Sequence, residues 1–547
     1  MKITLALVED ALISSGFRRM ASLVEGLNPD TRTVFVSTGH WRSIRQVLKG
    51  DSGGGDVLDE ARVHAIAEGL AGADVIGFSS MTGYAELTRR VIRRLREIAP
   101  QTYLIWGGIH PITDPEDAIR SEVDAICTGE GELVLPELLD ALRAGRRPLD
   151  IKNFWFRESG QVHRNGFRPL LTPQEMDTFP LPHYGEGEWI FRDGQGFVPL
   201  TLADYLKSDG LGYNTVWSIG CPFHCNYCGN TTFIANDPKY ARIRHPSPQR
   251  VVAEVQAACE KNPRISTVSF HDDSFLAIPF RQLEEFAEVW RAELHMPFAV
   301  LGVIPNYVRR DKLELLTWAG LNRVRMGIQS GSQRILDFYD RPTPVEKVES
   351  AATVLASFAP RYHIPPAYDV ILDNPIETRQ DVVDTLELLY RLPRPFTLNT
   401  FSLRVIPKSR MEAVMVERGV DLAGIDSSYA VVAPRWANVV TYMLAVFRPP
   451  RWVFERLLRR VEASSTPQPK YPWTALFWRV VFMLKRAGDH LRFMDFSMIS
   501  GYAGYVCWRL GLVALRRRVF DRRHPRPEPD TPRAKARAVG RVSSGQA

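Results

Sequence analysis

The chain contains few cysteines and no long apolar run. Only six cysteines occur in 547 residues, and three of them stand alone. No stretch reaches the ~18 uninterrupted apolar residues that a membrane-spanning helix needs. The first residues do not predict a secretory signal, because Glu9 and Asp10 interrupt the first apolar run. These absences argue against a disulfide-rich secreted protein and against a membrane-spanning one, and they predict a cytoplasmic location.

The excess of one charge is also small. Lys and Arg number 69 against 62 Asp and Glu, a formal net charge of +7. Much of the excess lies in the last segment, 521–547, which we expect to be a disordered basic tail. Such a modest and terminal excess does not indicate a nucleic-acid partner.

The length is too great for one hydrophobic core and predicts several domains. Residues 1–150 alternate short apolar segments with amphipathic ones, which predicts a doubly wound, Rossmann-like α/β domain with a parallel sheet. Ligands of such folds bind beyond the carboxyl ends of the strands. Three small or polar segments follow predicted strands there: SSMTG (79–83), GGIHPIT (107–113) and GEGE (129–132).

The pattern changes three times after residue 150. Residues 151–205 are rich in Pro, Gly and aromatics and predict an irregular linker. Residues 206–425 repeat strand and helix six times, which predicts a partial (β/α)6 barrel with its active site at the strand carboxyl ends. Residues 426–520 predict a mainly helical domain rich in Arg, Trp and Phe. Core packing and peripheral membrane contact both suit that composition.

Three cysteines lie within eight positions in CPFHCNYC: Cys221, Cys225 and Cys228. Structural zinc needs four closed ligands, and His224 would strain so tight a loop as the fourth. A disulfide is out of place in a cytoplasmic chain. An iron–sulfur cluster is the third alternative, since thiolates are its usual ligands. Three thiolates would leave one iron of a [4Fe–4S] cluster open to a substrate or cofactor.

The C-x3-C-x2-C spacing, with Tyr227 before the last cysteine, resembles the radical S-adenosylmethionine (SAM) superfamily. The resemblance implies that the three cysteines hold a [4Fe–4S] cluster whose open iron chelates SAM. It further implies reductive cleavage of SAM to a 5′-deoxyadenosyl radical. In that family the cysteines are cluster ligands and not nucleophiles, and no other catalytic residue is assigned.

Later segments extend the resemblance across the barrel. FHDDSF (270–275), GIQSGS (327–332) and YDVILDNPIET (368–378) occur where the family contacts SAM. Gln329 replaces the usual Glu, which removes a charge but keeps hydrogen-bonding capacity. The resemblance implies SAM contacts at Tyr227, Asp272, Asp273, Gln329 and Ser330.

The N-terminal domain, with WGGIHP followed by DAICTGEGE, resembles the cobalamin-binding domains of B12-dependent radical SAM proteins. The resemblance implies cobalamin contacts at Ser79, Ser80, Thr82, Gly107, Gly108, Gly129, Glu130 and Gly131. The Asp-x-His-x-x-Gly motif that supplies a histidine to cobalt in many cobalamin proteins is absent, and the corresponding segment is EDALISSGFRR. His110 is an available imidazole, but we interpret it as a turn residue. The lower axial ligand of cobalt stays open.

The resemblance favours a cobalamin-dependent methyltransferase that methylates an unactivated carbon of a small molecule, with lipids and pigments as candidate substrates. An electron donor such as flavodoxin or ferredoxin is then a partner. A cyclase or rearrangement enzyme with the same cofactors is the first alternative, and a non-catalytic Fe–S or cobalamin sensor is another. Methylthiolation of tRNA or protein is disfavoured, because those enzymes carry three further N-terminal cysteines and this chain has only Cys127 there.

Overall fold

The computed structural model describes most of the chain in two mainly parallel sheets and a helical C-terminal layer. The described residues are 1–9, 12, 14–37, 59–182, 184, 187–362, 364–406, 408–422, 433–464, 466, 470–495 and 501–525. The predicted basic tail therefore lies almost wholly outside the described residues. So does part of the segment that occupies the position of the missing cobalt-ligand motif.

The first sheet has nine strands in the order β7-β6-β5-β4-β3-β1-β2-β8-β9. These strands are β1 (Ile3–Val8), β2 (Thr31–Val36), β3 (Val75–Ser79), β4 (Tyr103–Gly107), β5 (Ala125–Cys127), β6 (Phe154–Glu158), β7 (Gln161–Arg164), β8 (Glu188–Arg192) and β9 (Gly196–Pro199). Its helices are α1 (Ser15–Leu27), α2 (Glu60–Leu70), α3 (Ala85–Ile98), α4 (Ile109–Thr113), α5 (Pro115–Ile119) and α6 (Val134–Arg143).

Helices cover both faces of this sheet. Leu5 and Leu7 of β1 pack into one cluster with residues of α1 and α6. Ala6 and Val8, which point to the opposite face, pack into a second cluster with residues of α2 and α3. Every side chain of β1 is therefore buried, and the predicted doubly wound fold is confirmed.

The order of the strands fixes where a ligand can bind. From β2 the sheet runs through β1 to β3, β4 and β5, so the strand order reverses between β1 and β3. A crevice opens at such a reversal beyond the carboxyl ends of the strands. Ser79 ends β3 and Gly107 ends β4 beside it.

The segment 151–205 is not the irregular linker that its Pro and Gly content predicts. It holds the antiparallel hairpins β6–β7 and β8–β9, and both extend the first sheet at its edges. The physical reason is its aromatic content: Phe154 and Phe156 are buried against the main core. Two short helices also form here, α7 (Pro173–Thr178) and α8 (Leu202–Asp209).

The second sheet has six strands, and each pairs in parallel with the next one along the chain. They are β10 (Gly212–Thr215), β11 (Thr267–Phe270), β12 (Phe298–Val303), β13 (Leu321–Gln329), β14 (Ala367–Leu372) and β15 (Thr397–Ser402). The helices are α9 (Asn230–Asn236), α10 (Pro248–Lys261), α11 (Phe280–Val289), α12 (Arg310–Ala319), α13 (Gln333–Phe338), α14 (Val345–Ser357), α15 (Ala359–Tyr362) and α16 (Arg379–Arg391). This confirms the predicted partial barrel.

The C-terminal layer is helical, as predicted. It comprises α17 (Arg410–Glu417), α18 (Trp436–Val446), α19 (Arg451–Leu458), α20 (Pro472–Arg492), α21 (Gly501–Arg509) and α22 (Leu512–Arg523). Helix α18 packs between α16 of the barrel and α20, and α21 packs on α8. Among the described residues, no helix combines the length and the apolar character needed to cross a bilayer.

A buried ion pair ties strand β8 to helix α1 of the N-terminal domain. Arg18 Nη1 of α1 donates to Glu188 Oε1 of β8 over 2.6 Å, and both side chains are buried. The hydroxyl of Tyr205 on α8 donates to the other oxygen of Glu188. The three elements meet at this one carboxylate.

We predict that Glu188→Ala strongly destabilises the protein. The change leaves the guanidinium of Arg18 buried without its carboxylate, a loss that costs about 3–5 kcal/mol. Urea unfolding measures the free energy difference. Glu158→Ala at the exposed end of β6 is the control and should stay within about 0.5 kcal/mol of the parent. Equal effects of the two changes would contradict the role of the pair.

Candidate functional site

The three clustered cysteines lie in a loop that leaves the carboxyl end of β10. Gly220, just before Cys221, has a φ of 111°, and a Cβ there would lie 2.4 Å from the carbonyl oxygen of Arg242. The amide of Cys221 donates to the carbonyl of Tyr240 over 3.2 Å. The loop therefore packs directly on the backbone of 240–242, and only glycine fits before the first cysteine.

A carboxylate from the next strand holds the start of the same loop. Asp272 follows β11 and accepts hydrogen bonds from the amides of Trp217 at 3.0 Å and Ser218 at 2.7 Å, and from the Ser218 hydroxyl. The side chain is buried, and this burial raises the pKa of Asp272 to about 7 although the three bonds lower it. Asp272 thus joins β10, β11 and the cysteine loop.

The far end of the loop is fixed by helix α13 and the residue after it. The buried Asn226 donates its amide to the carbonyl of Tyr339 over 3.0 Å and its side chain to the carbonyl of Phe338 over 2.6 Å. The amide of Cys228 donates to the carbonyl of Cys225 over 3.0 Å, which closes a turn. The backbone of the loop is therefore set by protein contacts on both sides.

The three thiols share one apolar environment. Phe223, Ile304 and Tyr307 pack around them. Burial raises the pKa of Cys221 to about 12 and that of Cys228 to about 11. No disulfide joins any of the described cysteines.

The donor set fits a cluster better than one ion. Within the described ranges, no three His, Cys, Asp or Glu side chains are arranged to hold a single metal ion. A [4Fe–4S] cluster instead takes each thiolate on a different iron, so three thiols around a shared apolar space suit it.

Arg341 is the buried cation beside this loop. Its Nη1 donates to the hydroxyl of Tyr227 over 3.0 Å and lies 3.8 Å from Cys225 Sγ, and its Nη2 donates to the carbonyl of Gly327 over 2.8 Å. The side chain is buried, and the pKa of Arg341 is raised by the neighbouring Tyr227 and Cys225 against the effect of burial. Arg341 is not among the residues predicted from the sequence, because it lies nine positions beyond the recognisable segment.

A cavity of about 560 Å³ lies between the first sheet and the mouth of the barrel. Residues after β1, β3, β4 and β5 line it from the N-terminal side. Residues 214–216 and Ile219, at the end of β10, line it from the barrel side. Two ends thus open into the same space. One is the predicted ligand-binding end of the doubly wound sheet, and the other is the end of the barrel that carries the cysteine loop.

Seven of the eight predicted cobalamin contacts line this cavity. They are Ser79, Ser80, Gly107, Gly108, Gly129, Glu130 and Gly131. The eighth, Thr82, lies in a short 3₁₀ helix and hydrogen-bonds Thr113 over 3.2 Å. Their contact with cobalamin stays a prediction. Glycine-rich loops at the switch point, around an apolar floor, fit a bulky ligand of this kind.

Two of these residues also serve the fold itself. Gly108 has a φ of 89°, and a Cβ there would lie 2.8 Å from Ser79 Oγ and 2.9 Å from the amide of Ser80. The glycine is therefore required by the neighbouring strand before any ligand binds. Glu130 pairs with Arg244 of the barrel over 2.7 Å and accepts from the amide of Leu171 over 2.8 Å.

Some of the predicted SAM residues are buried and hydrogen-bonded within the protein, and others are exposed. Ser330 is fully buried, and its hydroxyl bonds Thr385 over 3.1 Å and accepts from the amide of Ser332 over 3.1 Å. Gln329 has a φ of 69° at the end of β13. Asp273 is exposed. Tyr227 bonds Arg341 beside the cysteines. SAM contact stays a prediction for all five residues, Asp272 included.

His271 faces the cavity, although only its neighbours Asp272 and Asp273 in the FHDDSF segment were predicted as contacts. It directly follows β11, lines the cavity, and bonds Asn214 through Nε2 over 3.0 Å. Its surroundings lower the pKa of His271 to about 4, chiefly by desolvation, so the ring is neutral at neutral pH. His110 is buried instead, bonds Asp117 over 2.9 Å and does not line the cavity, in keeping with its interpretation as a turn residue.

Comparison with known families agrees with this arrangement. The model of the radical SAM superfamily matches residues 215–389, and the model of the B12 binding domain matches residues 47–139. The two matches occur in the order that the two sheets follow. The chain thus carries a B12 binding domain followed by a radical SAM domain. Its cofactors are a [4Fe–4S] cluster, SAM and cobalamin.

Curated relatives fall into two groups. An uncharacterized methyltransferase, PH0819, of Pyrococcus horikoshii is 25% identical over 418 residues, which cover 76% of this chain and 83% of the relative. An anaerobic magnesium-protoporphyrin IX monomethyl ester cyclase of Synechocystis is 24% identical over 415 residues, which cover 74% of each protein. These two relatives match across most of their length.

Two solved structures share the fold. The radical SAM methyltransferase TsrM from Kitasatospora setae, with cobalamin and a [4Fe–4S] cluster bound, has a TM-score of 0.58 at 16% identity and covers 76% of this chain and 78% of its own. The cobalamin-dependent SAM radical enzyme OxsB has a TM-score of 0.56 at 15% identity and covers 99% of this chain and 83% of its own. At these identities the likeness shows that the fold is shared.

We predict different effects for the two adjacent aspartates. Asp272→Asn replaces an accepting oxygen by an amide that cannot accept from Ser218 N, so the free energy of unfolding should fall by about 1–3 kcal/mol. Iron bound per chain after reconstitution should fall with it, because the loop loses its anchor. Urea unfolding and iron assay are the measurements.

Asp273→Asn is the matched control at the next position. The side chain is exposed, so stability should stay within about 0.5 kcal/mol of the parent and iron uptake should be unchanged. If Asp273 contacts SAM, calorimetry on the reconstituted variant will show weaker SAM binding. Equal losses of stability in both variants would contradict the anchoring role of Asp272.

Proposed function

We propose that this enzyme transfers a methyl group to an unactivated carbon of a small molecule. The observation that carries the proposal is the shared cavity between the two sheets. One cavity is lined by the three glycine-containing loops of the cobalamin domain and by the end of β10, from which the cysteine loop departs. A substrate held in that space would be within reach of both cofactor-binding ends.

In this proposal Cys221, Cys225 and Cys228 hold the cluster. When bound, the cluster with SAM supplies hydrogen abstraction, and cobalamin supplies a transferable methyl group. The chain's own contribution is positional: Asp272 and Asn226 fix the loop at its two ends. Arg341 places a positive charge 3.8 Å from the sulfur of Cys225, one of the proposed cluster ligands.

The walls of the cavity favour a largely apolar substrate. Leu5, Phe17, Ile105, Ile112 and Leu135 supply apolar surface from the N-terminal domain. Phe233 and Tyr240 add aromatic surface from the segment after the cysteines. Such walls exclude water from the space in which a reactive carbon intermediate would form.

His271 and Asn214 are polar groups on the barrel side of this cavity. The pair bonds through His271 Nε2, and the pKa near 4 keeps the ring neutral. A neutral imidazole can accept or donate a hydrogen bond without carrying charge into the apolar space. We infer that this pair orients a polar group of the substrate.

A cyclase that uses the same cofactors is the second candidate. The observation that favours it is the match to the Synechocystis cyclase over 74% of both chains. Cyclisation and methylation share hydrogen abstraction from carbon and differ in the bond that this carbon then forms. In both cases an electron donor, such as flavodoxin or ferredoxin, must reduce the cluster.

Methyl-labelled SAM separates the two candidates. The anaerobically reconstituted and reduced protein is given labelled SAM together with a small-molecule extract. We expect about four irons and one cobalt per chain, 5′-deoxyadenosine formation, and label in a small-molecule product. SAM cleavage without label transfer would favour the cyclase, and absence of cobalt would contradict methylation through cobalamin.

A matched pair of cysteine variants controls the experiment. Cys225→Ala removes one proposed ligand and should abolish both iron binding and SAM cleavage. Cys259→Ala changes a half-buried thiol of α10 outside the loop and should leave both intact. Equal iron content in the two variants would contradict the assignment of the loop as the cluster site.

A further inference from the structure

A second cavity, of about 310 Å³, lies at the opposite end of the barrel from the cysteine loop. Pro297, just before β12, and Asn322, near the start of β13, line it, so it is at the amino ends of the barrel strands. Helices α20 and α22 supply much of the rest of the wall. It is therefore separate from the site described above.

The lining of this cavity carries positive charge only. Arg361, Arg492, Arg516, Arg523 and His524 line it, and no Asp or Glu does so among the described residues. A neighbouring depression shares Arg361, Arg523 and His524, and Arg291 and one acid, Glu314, also line it. Four guanidinium groups around one cavity of this size repel one another unless an anion lies between them.

Arg516 is the buried member of this group. Its side chain is 7% exposed, and its Nη1 lies 3.4 Å from the hydroxyl of Ser266. Its Nη2 is buried and has no hydrogen-bond partner among the described residues. Burying a guanidinium donor without an acceptor costs free energy. A bound anion in this cavity would provide the acceptor that Nη2 of Arg516 lacks.

The nearby carboxylates are engaged elsewhere. Asp495 forms a buried pair with Arg323 and also lies 3.5 Å from His490 Nδ1. Asp521 lies 3.5 Å from His295. Asp495 attracts Arg516 through space, but neither carboxylate lines the cavity.

We propose that this cavity binds a phosphate group, with Arg516 as its buried anchor and Arg361, Arg492 and Arg523 around it. Guanidinium groups bind phosphate through paired hydrogen bonds, and phosphate offers enough oxygens to engage several of them. The site would act away from the reacting atoms, as an anchor or an effector site.

The rest of the wall admits two sources of the phosphate. Phe493 and Val519 supply apolar surface inside the cavity. Leu491, Leu510 and Leu515 are exposed on or beside the same helices, at 59%, 69% and 49%. Residues 472–525 hold ten Lys and Arg against three Asp and Glu. A soluble phosphate fits the cavity alone, and a lipid headgroup fits the cavity together with this surface.

Binding to two probes tests the proposal on the full chain. Inorganic phosphate is titrated by calorimetry, and phosphatidylcholine vesicles with and without phosphatidic acid are tested by co-sedimentation. We expect Arg516→Gln to weaken binding of at least one probe by about tenfold or more, since a charge-assisted pair is lost. Arg518→Gln on the exposed side of α22 removes the same charge and should change binding by less than about twofold.

Each outcome decides between these possibilities. Loss of phosphate binding in Arg516→Gln supports a soluble ligand, and loss of binding to phosphatidic acid vesicles alone supports a lipid headgroup. Equal effects of Arg516→Gln and Arg518→Gln, or binding of neither probe by the parent, would overturn the proposal. Should Arg516→Gln fail to fold, Arg492→Gln, an exposed member of the lining, gives the same comparison.

Discussion

The site depends on one buried carboxylate, Asp272. It accepts two backbone amides and a hydroxyl at the point where β10 becomes the cysteine loop. Without it, the first residues of the loop would have unpaired buried donors beside β11. Burial raises the pKa of Asp272 to about 7, although its three hydrogen bonds lower it. The position of the three cysteines is set by this contact and by Asn226 at the other end.

The direction of the strands explains how the two sheets share one cavity. The central strands of both are parallel, and both sheets leave their ligand-binding loops at the carboxyl ends of these strands. The hairpins of 151–205 and the Glu130–Arg244 pair join the two units so that these ends face one cavity. The aromatic residues of that segment thus do more than connect domains. The Arg-rich cavity lies at the other end of the barrel, where a ligand could act without obstructing the substrate.

Much of this was predictable from residues that lie close together in the sequence. The spacing of Cys221, Cys225 and Cys228 and the alternation of strands and helices predicted the family and both sheets. The edge hairpins were missed, because the Pro-rich stretch between them, 165–187, predicts irregular backbone. Arg341, His271 and Asn214 were missed because only the fold brings them to the site. Gly108 also has a packing role that the local sequence does not reveal. A Cβ atom at this position would clash with Ser79 and Ser80, which lie at the end of the neighbouring strand.

We propose that the cluster and cobalamin both face the cavity between the two sheets. The most direct test is a crystal structure of the loaded protein with anomalous data at the iron and cobalt edges. The account predicts iron beside Cys221, Cys225 and Cys228, and cobalt in the cavity bounded by Gly107, Gly129 and the end of β10. Cobalt bound elsewhere, or iron away from these cysteines, would contradict it.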